Sequence, residues 1–106
     1  MDVKSERRGY KRFTVDPILC HAVPKVQGIC LLKNVSMGGA FFLNKSPPPI
    51  GSKVRIEFVE LPLEGYEVNG NVVRHGLGRY RGFALEFPTP RPKVLRAVYH
   101  TEMFEE

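Results

Sequence analysis

The chain has 106 residues, the size of one domain, and 42% of them are hydrophobic, which makes it an ordinary globular protein rather than a disordered one. Its net charge is +5, and the positive charge belongs to the first half: residues 1–53 carry 9 lysines and arginines against 3 acids, a balance of +6, whereas residues 54–106 come to −1. A basic field of this kind implies an anionic partner such as a nucleotide, a nucleic acid or a membrane surface, but apolar runs such as Ile29–Leu32 and Ala40–Leu43 fall far short of the ~20 residues that span a bilayer.

Residues 1–12 form a polar arm with five cations, Lys4, Arg7, Arg8, Lys11 and Arg12. Nothing in it alternates, so a flexible arm is expected, followed by one domain over residues 13–106. Met1–Arg8 lacks the apolar stretch of a signal peptide, and the expected compartment is the cytoplasm. A first strand is predicted over Phe13–Val23, disturbed at Asp16-Pro17 and ended by Pro24. A second is predicted over Lys25–Val35. A third, Ala40–Asn44, follows the turn residues Ser36-Met37-Gly38-Gly39.

Ser46–Ser52, with three successive prolines, reads as a rigid loop. Lys53–Phe58 alternates cleanly, which puts Val54, Ile56 and Phe58 on one face and Lys53, Arg55 and Glu57 on the other. A fifth strand covers Tyr66–His75, with Gly70 as its expected bulge. A sixth covers Arg81–Phe87, with Phe83, Leu85 and Phe87 facing inward. From Thr89 the period changes. Prolines 90 and 92 suit a first helical turn, and Val94/Leu95, Val98/Tyr99 and Glu102/Met103 recur at helical spacing. Six short antiparallel strands suggest a small closed or nearly closed barrel, because closure removes exposed edges, with the helix packed on it or over its mouth.

The two cysteines, Cys20 and Cys30, match no zinc or redox spacing and fall in strands, so they are expected to be reduced, buried thiols. The histidines His21, His75 and His100 are scattered and assemble no metal site. No nucleophile–base pair or paired carboxylates stand out, so the sequence does not read as an enzyme and implies no cofactor.

Two clusters carry chemistry. In Arg7-Arg8-Gly9-Tyr10-Lys11-Arg12, the forked guanidinium donors of Arg8 and Arg12 can grip a guanine edge, clamp a phosphate or stack on a purine, although a solvated basic arm would look the same. In Asn34-Val35-Ser36-Met37-Gly38-Gly39, the Asn34 amide and Ser36 hydroxyl can bond a base edge, and glycines let a backbone approach closely. Asn, Ser and Gly are also ordinary turn formers.

Together and in this order the clusters resemble the R-x-x-x-R arm and D/N-x-S-x-x-G turn of the PilZ domain family. Gly70-Asn71-Val72-Val73-Arg74 is similar to that family's G-x-V-V-R strand, and Gly82–Phe87 to its closing G-x-x-x-x-F strand. The resemblance runs from about Glu6 to Phe87. It implies an all-β fold with a C-terminal helix, a six-stranded antiparallel PilZ-type split β-barrel. It also implies a bacterial receptor that binds cyclic di-GMP and passes the signal to a downstream protein. Carried over, Arg8 and Arg12 would grip guanine and phosphate. Asn34, where many members have Asp, and Ser36 would read a guanine edge, and Gly39 would allow close approach. Arg74 is placed for either a ligand contact or a surface ion pair. Arg7 could hold a second nucleotide stacked on the first, giving two cyclic di-GMP molecules per chain. A single-stranded nucleic-acid barrel is the alternative, but Phe41, Phe42, Phe58, Phe83 and Phe87 fall at inward or half-buried positions rather than forming an exposed stacking surface. Neither nucleic-acid binding nor membrane insertion is expected.

Overall fold

The computed structural model describes residues 11–99 and 103–105. The basic arm before Lys11, with Arg7, Arg8 and Tyr10, lies outside the described residues. Strands β1 (Phe13–Val23), β2 (Cys30–Val35), β3 (Gly39–Leu43), β4 (Lys53–Phe58), β5 (Glu67–Gly76) and β6 (Gly82–Glu86) precede a helix, α1 (Pro92–Tyr99), and a short strand, β7 (Met103–Glu105). The antiparallel order β2-β3-β6-β5-β4-β1 closes on itself because β1 also pairs with β2, giving a six-stranded barrel with a C-terminal helix. β1 is long enough to pair twice on one side: Cys20–Val23 lie against β4, and Phe13–Val15 lie against β7.

Period-two alternation explains most of this. Val54, Ile56 and Phe58 on β4, and Phe83, Leu85 and Phe87 on and just after β6, all enter the core. At its centre the Phe42 ring stacks on Phe83 at 5.3 Å between centroids and tilts against Phe58 at 6.5 Å. Val94 and Val98 of α1 are fully buried in the same cluster, so the helix seals the barrel with one narrow stripe. Asp16-Pro17 does interrupt the ladder, since the β1–β2 register shifts between Thr14 and Ile18.

Several expectations are corrected. β2 starts at Cys30, not Lys25. Gly28, at φ +76°, turns the chain, and the Asn44 side-chain amide donates to the carbonyls of Gln27 and Ile29 at 2.9 Å each, which holds residues 27–29 as a loop. Gly70 is not a bulge. It pairs in register with Val54, and the irregularity lies between Val72 and Arg74. Glycine is needed at 70 because a Cβ there would stand 2.5 Å from the Glu86 carbonyl oxygen and 2.7 Å from Leu85 Cγ. His75 is half-buried, with Nε2 2.7 Å from the Pro48 carbonyl oxygen. That contact and the Gly51–Val72 and Val72–Ser52 backbone bonds fasten the proline loop onto β5. The helical spacing does not extend to Met103: the chain returns as β7. Beyond the reach of β4, the backbone groups at the start of β1 need partners, and β7 supplies them.

Cys20 and Cys30 face each other across β1 and β2, both buried and unbridged, with their sulfurs 4.0 Å apart. The hydrogen bond to Cys30, together with burial, pushes the Cys20 thiol far above the ordinary thiol range. The folded protein therefore keeps a proton that the unfolded chain releases as pH rises past 9.0, the ordinary value. Stability from this group is complete below that pH and is lost above it, at about 1.4 kcal/mol per pH unit. Denaturant titrations between pH 8.5 and 10.5 should show a steeper loss for wild type than for Cys20→Ala; equal slopes would exclude the effect.

Candidate functional site

The N-x-S-x-x-G segment forms the bend between β2 and β3. The Ser36 backbone N–H donates to the Gly39 carbonyl at 2.8 Å, and the Ser36 hydroxyl accepts from the Gly38 N–H at 3.2 Å. The hydroxyl is thus engaged in holding the turn, as expected of a serine that competes for local backbone groups. The turn is also tied to the chain that follows β6. The Phe87 N–H donates to Gly38 O at 2.9 Å, and the Arg91 N–H donates to Met37 O at 2.8 Å. The Arg91 guanidinium reaches the Glu67 carbonyl at 3.1 Å, so one residue links the turn to the start of β5.

Gly39 is required for a reason other than ligand approach. A Cβ there would lie 2.5 Å from the Leu85 carbonyl oxygen, so its side-chain-free face lets β3 close on β6. Glu86 stands opposite Gly39, and Ala84 opposite Phe41. Because Leu85 and Phe83 point into the core, Ala84 and Glu86 lie on the outer face of the sheet.

This outer face and the turn together shape a groove of about 670 Å³. Arg12, Ser36, Gly38, Gly39, Val73, Arg74, Ala84, Glu86, Pro88 and Pro90 are among the residues that line it. Arg74 is exposed at the end of the G-x-V-V-R strand, with its guanidinium carbon 5.4 Å over the Phe41 ring. That contact holds the cation on the groove wall, and among the described residues Arg74 makes no ion pair like the one Arg55 makes with Glu57 at 3.2 Å.

Of the residues singled out in the sequence, the structure thus brings Arg12, Ser36, Gly39 and Arg74 to one groove. Asn34 is half-buried on β2, in register with Thr14 and Phe41, and is not part of the groove lining. Arg7 and Arg8 lie outside the described residues. Two contributors were missed in the sequence, Glu86 and the proline border. Glu86 was accessible in principle, because the inward alternation of Phe83, Leu85 and Phe87 already assigns it to the opposite face.

A second, smaller hollow of about 400 Å³ lies over Val23, Lys53, Arg55, Asn69, Gly70 and Asn71, and none of Arg12, Asn34, Ser36, Gly39 and Arg74 lines it. Among the described residues, no three His, Cys, Asp or Glu side chains gather as a metal site would need. No described helix is long and apolar enough to cross a membrane. Phe41, Phe42, Phe58, Phe83 and Phe87 are all buried, so these rings offer no stacking platform to single-stranded nucleic acid.

No curated protein and no solved structure matches the chain. The family model for the PilZ domain does match, over residues 6–100, from within the basic arm to just past α1. With nearly its whole length inside one family's pattern, the chain belongs to the PilZ domain family.

Proposed function

We propose that this protein is a cytoplasmic receptor for cyclic di-GMP that couples the second messenger to a downstream protein. PilZ domains are binding modules for this dinucleotide rather than enzymes. The observation that carries the reading to this chain is the groove itself. Arg12 and Arg74 share it with the Ser36–Gly39 turn, and the sequence just before Arg12 carries the further cations Arg7 and Arg8. An anionic ligand with planar purines suits such a place: guanidinium forks take phosphate or a guanine edge, and their flat faces stack on purines.

The ligand is a pair of mutually stacked cyclic di-GMP molecules. Two copies bring four negative charges, and Arg7, Lys11 and Arg74 add cations beyond the Arg8/Arg12 pair. Calorimetric titration tests both statements at once. Wild type should bind with a ratio near two, and Arg7→Leu with a ratio near one. A wild-type ratio of one, at verified active concentration, rules out the stacked pair, and no heat or competition at high micromolar ligand rules out the receptor reading.

A further inference from the structure

We infer that this protein docks on anionic lipid surfaces through one end of its barrel, an interaction that goes beyond nucleotide binding and does not rest on it. Because the six strands are antiparallel, the β1–β2, β3–β4 and β5–β6 connections share one end, and the β2–β3, β4–β5 and β6–α1 connections share the other. Asn44 ties the loops of the first end together. Its side-chain amide donates to the Gln27 and Ile29 carbonyls, and its backbone N–H donates to the Arg81 carbonyl at 3.0 Å. Each of the three loops presents a large aliphatic side chain to solvent. Ile29 is 65% exposed in residues 24–29, Ile50 62% in residues 44–52, and Leu77 83% in residues 77–81, where Tyr80 is exposed as well. Each loop also carries an exposed cation, Lys25 in the first, Lys45 in the second, and Arg79 and Arg81 in the third. None of these cations pairs with a described carboxylate. The chain has no acid at all from Pro17 to Ile56 or from Val68 to Leu85, which covers all three loops.

Exposed aliphatic tips among unpaired cations call for a partner that is negative and apolar at once. An anionic bilayer is both: its surface charge attracts lysine and arginine, and the acyl boundary just beneath takes aliphatic side chains, with tyrosine favoured between the two. The opposite end lacks this combination, since its β4–β5 loop exposes Leu61 beside Glu60 and Glu64 and carries no cation. Residues of the three basic loops line neither of the two hollows. This end therefore offers protruding side chains, to which a fluid lipid surface conforms, rather than a pocket for a partner protein's side chain. A lone Tyr80, with Lys33 Nζ 4.9 Å over its ring, makes no stacking platform for nucleic acid. The nucleotide groove draws on the β2–β3 and β6–α1 connections of the other end, so the docked protein leaves it open.

Co-sedimentation of the full chain with sucrose-loaded vesicles tests this, using phosphatidylcholine alone or equal parts of phosphatidylcholine and phosphatidylglycerol, in the absence of nucleotide. Wild type should bind the mixed vesicles roughly tenfold or more tightly than the neutral ones. Leu77→Ser should weaken binding to the mixed vesicles about tenfold, the effect of withdrawing one leucine side chain from an apolar phase. Ile29→Ser, in a different loop, should act in the same direction, and Arg79→Glu should weaken binding about threefold or more. All three sites are exposed, so thermal midpoints should stay near that of wild type, which separates lost docking from lost fold. Equal affinity for the two kinds of vesicle overturns the proposal. So do Leu77→Ser and Ile29→Ser proteins with wild-type affinity, because the attraction would then belong to the basic arm, which both variants keep. A wild type that ignores vesicles but binds polyglutamate fits an acidic protein instead, and overturns it as well. With no nucleotide present, a failure of the receptor reading leaves these results untouched.

Discussion

Phe42→Ala should lower the thermal midpoint by roughly 15–30 °C, from a loss of about 3–5 kcal/mol. Phe42 is completely buried on β3, between the rings of Phe83 and Phe58, so three strands of the barrel meet at this side chain. Truncation removes the transfer energy of the ring and leaves a cavity that a closed barrel cannot collapse to fill, because its six strands fix one another's spacing. A domain of this size has only about 5–15 kcal/mol in total. The control is Ile50→Ala, at a side chain 62% exposed in the proline loop, which should change stability by no more than about 0.5 kcal/mol. A midpoint for Phe42→Ala within a few degrees of wild type would show that the aromatic cluster is not the centre of the core.

Arg12→Ala should weaken cyclic di-GMP binding at least tenfold, and Arg8→Ala should do the same. Each removes a charge-assisted, forked contact worth about 1.5–3 kcal/mol, and every 1.4 kcal/mol is a factor of ten. The double variant should lose more than a hundredfold, short of full additivity if both arginines hold one phosphate. Ser36→Ala should cost less affinity, about 0.5–1.5 kcal/mol, as a neutral hydrogen bond does. It should also lower stability, because its hydroxyl holds the Gly38 N–H of the turn. Titration at fixed ionic strength checks the series. An Arg12→Ala protein with wild-type affinity would remove Arg12 from the site despite its place on the groove wall.

Strand positions were legible where one face is core and the other is solvent. β4 reads directly from Val54, Ile56 and Phe58, and β1 from its full length with the break at Asp16-Pro17. The start of β2 misled because Val26 and Ile29 look strand-like, while the residue that holds residues 27–29 as a loop, Asn44, lies 15 to 17 positions away. β7 was invisible because three residues carry no period and gain their meaning only from a partner about ninety positions earlier in the chain. At the site, residue types were easier to find than their reasons. Gly39, expected to admit a ligand, also admits the neighbouring strand, and Ser36, expected to face a base, also holds its own turn. The reason at Gly39 depends on the β3–β6 pairing, which local sequence does not encode, whereas the turn bond of Ser36 is local.

The pairing of β7 with Phe13–Val15 bears on how the molecule keeps apart from its own copies. A strand flank without a neighbour displays a row of amide and carbonyl groups that any other extended chain can adopt as a template. β4 protects only the Cys20–Val23 stretch on that side of β1, so the barrel would otherwise offer such a template immediately beside the groove. Three C-terminal residues occupy that place, and they serve as a guard against self-assembly as much as an extension of the sheet.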